Sequence, residues 1–218
     1  MKCIACLCLV LALVSAVCGF TEEEIQKILD AHNTVRDNVP ADFPKHAPSS
    51  CLPHLEWDTY LADMAQKYSN TCPTDHSEKK DRKYTDGTYV GENLYWDSAS
   101  VDVSTLFERA VIDYWYKTEY EDYDYGGSTT GVGHYTQIVW NKTIRVGCGL
   151  TAHCPPDSAL YLEHNAITCN YWPGGNIKGQ AAWEEKAKGE KAAKCSSTTV
   201  KPFVSLATLA LVFTFMLL

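Results

Sequence analysis

The chain has 218 residues, with 27 acidic against 19 basic side chains and a formal net charge of −8. That balance speaks against nucleic acid as a partner, and the length suits one domain with a real core. Ten cysteines in so short a chain point to an oxidising compartment.

Met1-Lys2 precedes an apolar run from Cys3 to Val17, followed by small residues near Ala16–Gly19. This is the pattern of a signal peptide over residues 1–19, cut after Cys18 or Gly19. Four of the ten cysteines lie in that leader, leaving Cys51, Cys72, Cys148, Cys154, Cys169 and Cys195. An even number in an exported chain reads as three disulfides, with many pairings open. A Cys154–Cys169 staple is the preferred one, because the residues between them can fold back.

Thr21-Glu22-Glu23-Glu24 is a capping box. Ile25, Ile28, Leu29, His32 and Val35 follow at helical spacing, predicting a helix that ends before Pro40. The proline-rich stretch to Pro53 reads as loop. Trp57, Leu61, Met64, Ala65 and Tyr68 mark a second helix, started by Asp58 or Thr59. Residues 70–87 are polar and irregular. Tyr89 to Trp96 reads as a short strand. Ser104 is the expected cap of a third helix, with Phe107, Ala110, Val111 and Tyr114 on one face. The small-residue loop after Tyr125 runs to Gly133. Arg145–Leu150 and Leu160–Trp172 read as two strands joined by a turn-rich link. Helices flanking a small antiparallel sheet give an α+β fold, a three-layer α-β-α sandwich, over residues 20–185.

Residues 186–202 read as a Lys/Ser/Thr stalk, and Phe203 to Leu218 is an uncharged apolar tail. Small residues, a polar spacer and a terminal apolar run are the pattern of a glycosylphosphatidylinositol (GPI) signal, with Ser196 or Ser197 as attachment residue. A short transmembrane anchor is the alternative. Asn141-Lys142-Thr143 is a glycosylation sequon.

Several segments occur together in one order. They are His32-Asn33-x-x-Arg36, Leu55-x-Trp57-Asp58-x-x-Leu61-Ala62, His76-Ser77 and Gly91-Glu92-Asn93-Leu94. After them come Gly133-His134-Tyr135-Thr136-Gln137-Ile138-Val139-Trp140 and Cys169-Asn170-Tyr171-Trp172-Pro173-Gly174-Gly175-Asn176. The series resembles the CAP superfamily (cysteine-rich secretory, antigen 5 and pathogenesis-related proteins, including venom-allergen-like ones) over residues 22–180. The resemblance implies a cleft with a tetrad of two histidines and two glutamates, here His76, Glu92, Glu119 and His134. Alignment on Tyr123-Asp124-Tyr125 selects Glu119; alignment on Trp115 would select Thr118, and we take the former. The resemblance also implies a Cys72–Cys148 disulfide, which leaves Cys51–Cys195.

Two neutral imidazoles and two carboxylates can hold a divalent metal, Zn²⁺ or Mg²⁺, weakly. They can equally form a polar network that only holds the cleft together. No His-Glu-x-x-His helix, no nucleophile elbow and no Cys-x-x-Cys pair among the six remaining cysteines points to a standard hydrolase or structural zinc site. An enzyme is therefore not indicated. The aromatic group around Tyr116, Tyr120, Tyr123 and Tyr125 precedes a glycine-containing loop that the resemblance associates with sterol binding. Tyrosine suits a pocket apolar inside and wet at its rim. The expected function is extracellular binding of a sterol or fatty-acid-like lipid, on a secreted protein or one held to the outer cell surface by a lipid anchor. The alternatives are a metal-dependent hydrolase using the tetrad and a toxin-like or immune-modulating receptor ligand acting through loops such as 79–86.

Overall fold

A computed structural model describes residues 19–99, 101–156, 160, 162–191 and 195. Residues 1–18 of the leader, Ser196, Ser197 and the apolar tail 203–218 lie outside the described residues. Among the described residues no helix is long and apolar enough to cross a membrane.

Helix α1 spans Glu22–Asp42 and starts on the expected capping box. Glu24 donates its amide to Thr21 Oγ1 at 3.2 Å, and Thr21 donates its own to Glu24 Oε2 at 2.7 Å. The helix does not stop before Pro40, as expected, but runs through it. A proline in the last turn forfeits only its own amide bond, and Phe43 still donates to the Val39 carbonyl at 3.0 Å.

Strand β1 is the dipeptide Glu56–Trp57, so Trp57 belongs to the sheet and not to the second helix. Helix α2, Thr59–Ser69, is capped by Asp58, which accepts from the Leu61 amide at 3.0 Å. Strand β2 is Gly91–Asp97, β3 is Arg145–Cys154 and β4 is His164–Trp172. The sheet order is β1-β3-β4-β2, with β4 antiparallel to both neighbours. β1 lies parallel to β3, which makes the sheet mixed and not wholly antiparallel.

The third helical segment departs further from its pattern. Helix α3, Val103–Glu108, is capped by Asp102 and not Ser104, its carboxylate accepting from the Thr105 amide. It continues as a π-helix over Arg109–Tyr116. Bonds of the i→i+5 type, such as Lys117 N to Ile112 O at 3.0 Å, widen the turn. The buried face shifts to Ala110, Val111 and Trp115, while Tyr114 turns outward and is 54 % exposed. A short helix α4, Gly133–Ile138, follows the glycine loop.

Alternation along β3 separates the two outer layers. Gly147 and Gly149 face α2, while Val146 and Cys148 face a core shared with Ile28 and Val35 of α1 and Trp115. The sheet is therefore the middle layer of the expected α-β-α sandwich.

The disulfides are Cys51–Cys195, Cys72–Cys154 and Cys148–Cys169. Cys51–Cys195 agrees with expectation; Cys154–Cys169 and Cys72–Cys148 do not form. The β3–β4 register sets Cys148 directly opposite Cys169, with Cα atoms 4.1 Å apart. Cys154 pairs with His164 at the far end of the ladder, about 17 Å along the strand from Cys169. From there it reaches Cys72, just past the end of α2.

The residues His32, Asn33 and Arg36 act in the interior. Asn33 Nδ2 donates to the Leu55 carbonyl, and its Oδ1 accepts the Leu55 amide at 2.7 Å. His32 Nδ1 donates to the Ile28 carbonyl at 2.8 Å, so Nε2 accepts from the Tyr171 hydroxyl at 2.9 Å. Burial pulls this imidazole down to about 4, more than the Ile28 carbonyl raises it, and the Arg36 charge lowers it further. The unfolded chain, with an ordinary histidine near 6.5, takes the proton first. This stabilisation is complete above about pH 6.5 and is lost as the pH falls toward about 4. Urea midpoints between pH 7 and about pH 5 should fall by an amount worth about 2 kcal/mol more in the wild type than in His32→Gln. Equal pH dependence in the two proteins would show that His32 does not carry it.

Candidate functional site

His76, Glu92, Glu119 and His134 line one cleft of about 280 Å³. Each arrives on a different element. His76 follows α2 on a loop held by the Cys72–Cys154 bond and by Trp96 Nε1 donating to the Pro73 carbonyl at 2.6 Å. Glu92 sits on β2, Glu119 follows the π-helix, and His134 lies in the first turn of α4. Asn176 braces that turn by donating to the Gly133 carbonyl at 2.8 Å and accepting from Thr136 Oγ1 at 2.8 Å.

The four residues form two pairs. His76 Nδ1 donates to Glu92 Oε1 at 2.8 Å, and His134 Nδ1 donates to Glu119 Oε1 at 2.5 Å. A carboxylate accepts only, so both imidazoles carry a proton on Nδ1, and the neutral form of each has its lone pair on Nε2. Among the described residues none bonds to either Nε2. Glu119 Oε2 also accepts the Tyr135 amide at 2.8 Å. Thr118, the rival by alignment, instead donates its hydroxyl to the Tyr114 carbonyl.

Glu92 is the more enclosed carboxylate, with its side chain 1 % exposed against 10 % for Glu119. It accepts from the Ser77 amide at 3.0 Å and the Ser77 hydroxyl at 2.7 Å, and pairs with Arg82 Nη1 at 3.3 Å. Burial pushes its pKa up, but the His76 bond, the Arg82 charge and the two Ser77 bonds together hold it below the ordinary carboxylate value. Arg82 belongs to no recognised motif and carried no signal in the sequence. Nor did the stacking of Trp115 on the His134 ring, with centroids 5.8 Å apart and planes at 10°.

Among the described residues, the one set of three His, Cys, Asp or Glu donors within 4.8 Å of one another is His32, Cys148 and Cys169. It does not fit a metal: the two sulfurs are joined to each other and both His32 nitrogens are bonded. The tetrad donors do not converge to that degree.

The four tyrosines pack chiefly against other side chains. Tyr116 donates to Asp42 Oδ2 at 2.7 Å and packs on Tyr120, with centroids 4.9 Å apart. Tyr123 is buried among Phe43, Tyr135 and Trp183. Tyr125 stacks on His46 at 4.9 Å and donates to the Trp183 carbonyl at 2.8 Å. Tyr125 also lines a groove of about 300 Å³ shared with Trp140, Asn141 and Trp183. The loop after it contributes Thr129 and Gly131 to the tetrad cleft. The sequon residue Asn141 is therefore at that groove, while Thr143 is buried and donates to the Pro173 carbonyl at 2.7 Å.

Residues 29–171 match the CAP, or cysteine-rich secretory protein, family. Venom allergen 3 of Solenopsis invicta is 33% identical over 184 residues, 77% of this chain and 75% of that one. Human cysteine-rich secretory protein 3 is 37% identical over 161 residues, 72% of this chain and 58% of that one. The crystal structure of NaASP2 with Zn2+ superposes with a TM-score of 0.63 at 26% identity, covering 78% of this chain and 89% of that one. The chain belongs to the CAP family of cysteine-rich secretory proteins.

Proposed function

We propose that this is an extracellular binding protein, not a hydrolase, whose cleft takes a divalent cation on His76 and His134. The observation that carries the reading is that both imidazoles donate Nδ1 to a carboxylate on one cleft, which leaves Nε2 of each neutral ring as a metal donor. Imidazole nitrogen suits zinc better than magnesium. NaASP2, similar in fold, is a protein whose structure was solved with Zn2+. Against a general base, Glu92 is saturated with donors and held ionised, and both Glu119 oxygens are engaged. The reading includes export through the leader over residues 1–19 and attachment at Ser196 or Ser197.

Calorimetry with a zinc salt on the secreted protein should show saturable uptake that is abolished in the His76→Ala, His134→Ala double variant. Undiminished uptake in that variant would sink the assignment. A second reading, an apolar or sterol-like ligand, is favoured by the groove beside Tyr125, Trp140 and Trp183. Its mark would be lipid recovered with the purified protein in place of zinc.

A further inference from the structure

We infer that Arg82 is a positioning residue of the His76 half-site: its guanidinium clamps Glu92 so that Oε1 stays aimed at His76 Nδ1 and the imidazole keeps its lone pair on Nε2. The inference rests on the reading of His76 and His134 as a metal site. Two donors bond Glu92 Oε1, His76 Nδ1 at 2.8 Å and the Ser77 amide at 3.0 Å, and Arg82 Nη1 forms an ion pair with the same oxygen at 3.3 Å. Only Arg82 among them brings a permanent charge. Without that charge Glu92 is held only by Ser77 and by His76 itself, so the carboxylate that fixes the His76 tautomer is positioned less firmly.

The clamp is built into a rigid unit. The Arg82 carbonyl accepts the Val90 amide at 3.3 Å, Lys83 bridges Tyr89, and the turn between them closes through Gly87 N to Tyr84 O at 2.9 Å. Gly87 holds φ +82°, which favours glycine. This small hairpin runs directly into β2, so Arg82 and Glu92 are fixed to one backbone segment, with the Tyr89 ring 5.7 Å from the guanidinium carbon.

Stability alone is a poor reason for the arrangement. Arg82 and Glu92 side chains are 6 % and 1 % exposed, and a pair so buried recovers little beyond its desolvation cost. Arg82 Nε is moreover buried without a hydrogen-bond partner. An apolar side chain over Tyr89 would avoid that cost, but it could not orient a carboxylate. Among the described residues the other half-site has no such cation: Glu119 is held by the Tyr135 amide, at the start of α4.

The test is nitrogen-15 NMR of the histidine rings in the metal-free secreted protein at about pH 8, where an imidazole is neutral, together with zinc calorimetry. Wild type should show His76 as a single Nδ1–H tautomer. Arg82→Gln should mix the two tautomers and weaken zinc binding about tenfold, the range seen when a group behind a metal ligand is removed. Arg82→Lys should recover most of both, and His134 should keep its tautomer throughout. If thermal melting shows Arg82→Gln unfolded, Arg82→Lys decides alone, with a loss of about threefold expected from its unforked charge. A folded variant with His76 tautomer and zinc affinity both unchanged overturns the proposal. A wild type that takes no zinc would refute the metal reading, and the tautomer measurement would still decide the role of Arg82.

Discussion

Replacing Arg36 by alanine should reduce stability by about 4 kcal/mol or more, a large part of the roughly 5–15 kcal/mol that holds a domain folded. The side chain is fully buried and ties α1 to two distant segments. Its Nε donates to the Pro53 carbonyl at 2.6 Å, Nη1 to the carbonyls of Ile138 and Trp140 at 2.7 and 3.1 Å, and Nη2 to that of Thr143 at 3.2 Å. Burial pulls the guanidinium down to about 9, which still leaves it cationic at neutral pH. Truncation leaves the Pro53, Ile138 and Thr143 carbonyls without this donor, each costing about 1–3 kcal/mol unless water enters, while that of Trp140 keeps the Thr143 amide. Lysine at the same position can satisfy only part of the set, because its ammonium is a point and not a fork. The expected order in urea unfolding, at fixed disulfide state, is wild type, then Arg36→Lys, then Arg36→Ala, with the alanine protein secreted poorly. A loss below about 1.5 kcal/mol for alanine would mean that this network is not what joins α1 to the segment after α4.

Alanine at Gly147 or Gly149 should be almost as damaging, for the opposite reason. A Cβ at Gly147 would lie 2.2 Å from the Ala62 amide nitrogen and 2.5 Å from the Asp58 carbonyl oxygen; one at Gly149 would lie 2.3 Å from the Gln66 amide nitrogen. These are backbone atoms of α2 and its cap, and they cannot rotate aside. The helix would have to lift from the sheet, losing the Ser69 hydroxyl bonds to the Gly149 carbonyl and Thr168 at 3.2 and 2.9 Å. Overpacking costs about 1–3 kcal/mol where side chains can yield. With only backbone in the way, each single change should reach about 3 kcal/mol and the double change should prevent folding. Gly133→Ala is the internal comparison, since its nearest neighbour is Asn176 Nδ2 at an ordinary 3.7 Å. Denaturant midpoints that drop no further for Gly147→Ala than for Gly133→Ala would defeat the prediction.

Both sites show where the sequence was legible and where it was not. The capping box at Thr21, the Asp58 cap, the apolar faces of α1 and α2 and the hairpin of β3 and β4 were readable, because each follows from interactions within a few residues. The order of the short motifs named His76, Glu92, Glu119 and His134, and the structure gathers all four on one cleft. It also named His32, Asn33 and Arg36, but not their work as buried bonds to distant segments. What tertiary structure alone decided lies at long range. The β3–β4 register chose Cys148–Cys169, and the bond across 82 residues from Cys72 to Cys154 followed from it. The π-turn that brings Trp115 under His134 and turns Tyr114 outward breaks the helical period by which a face is recognised. Arg82 sits in a polar stretch that reads as solvent-exposed until the hairpin folds it onto Glu92. Periodicity and capping are local free energies and are written locally. Pairing, register and burial depend on which segments meet, and no single segment of the chain carries that information.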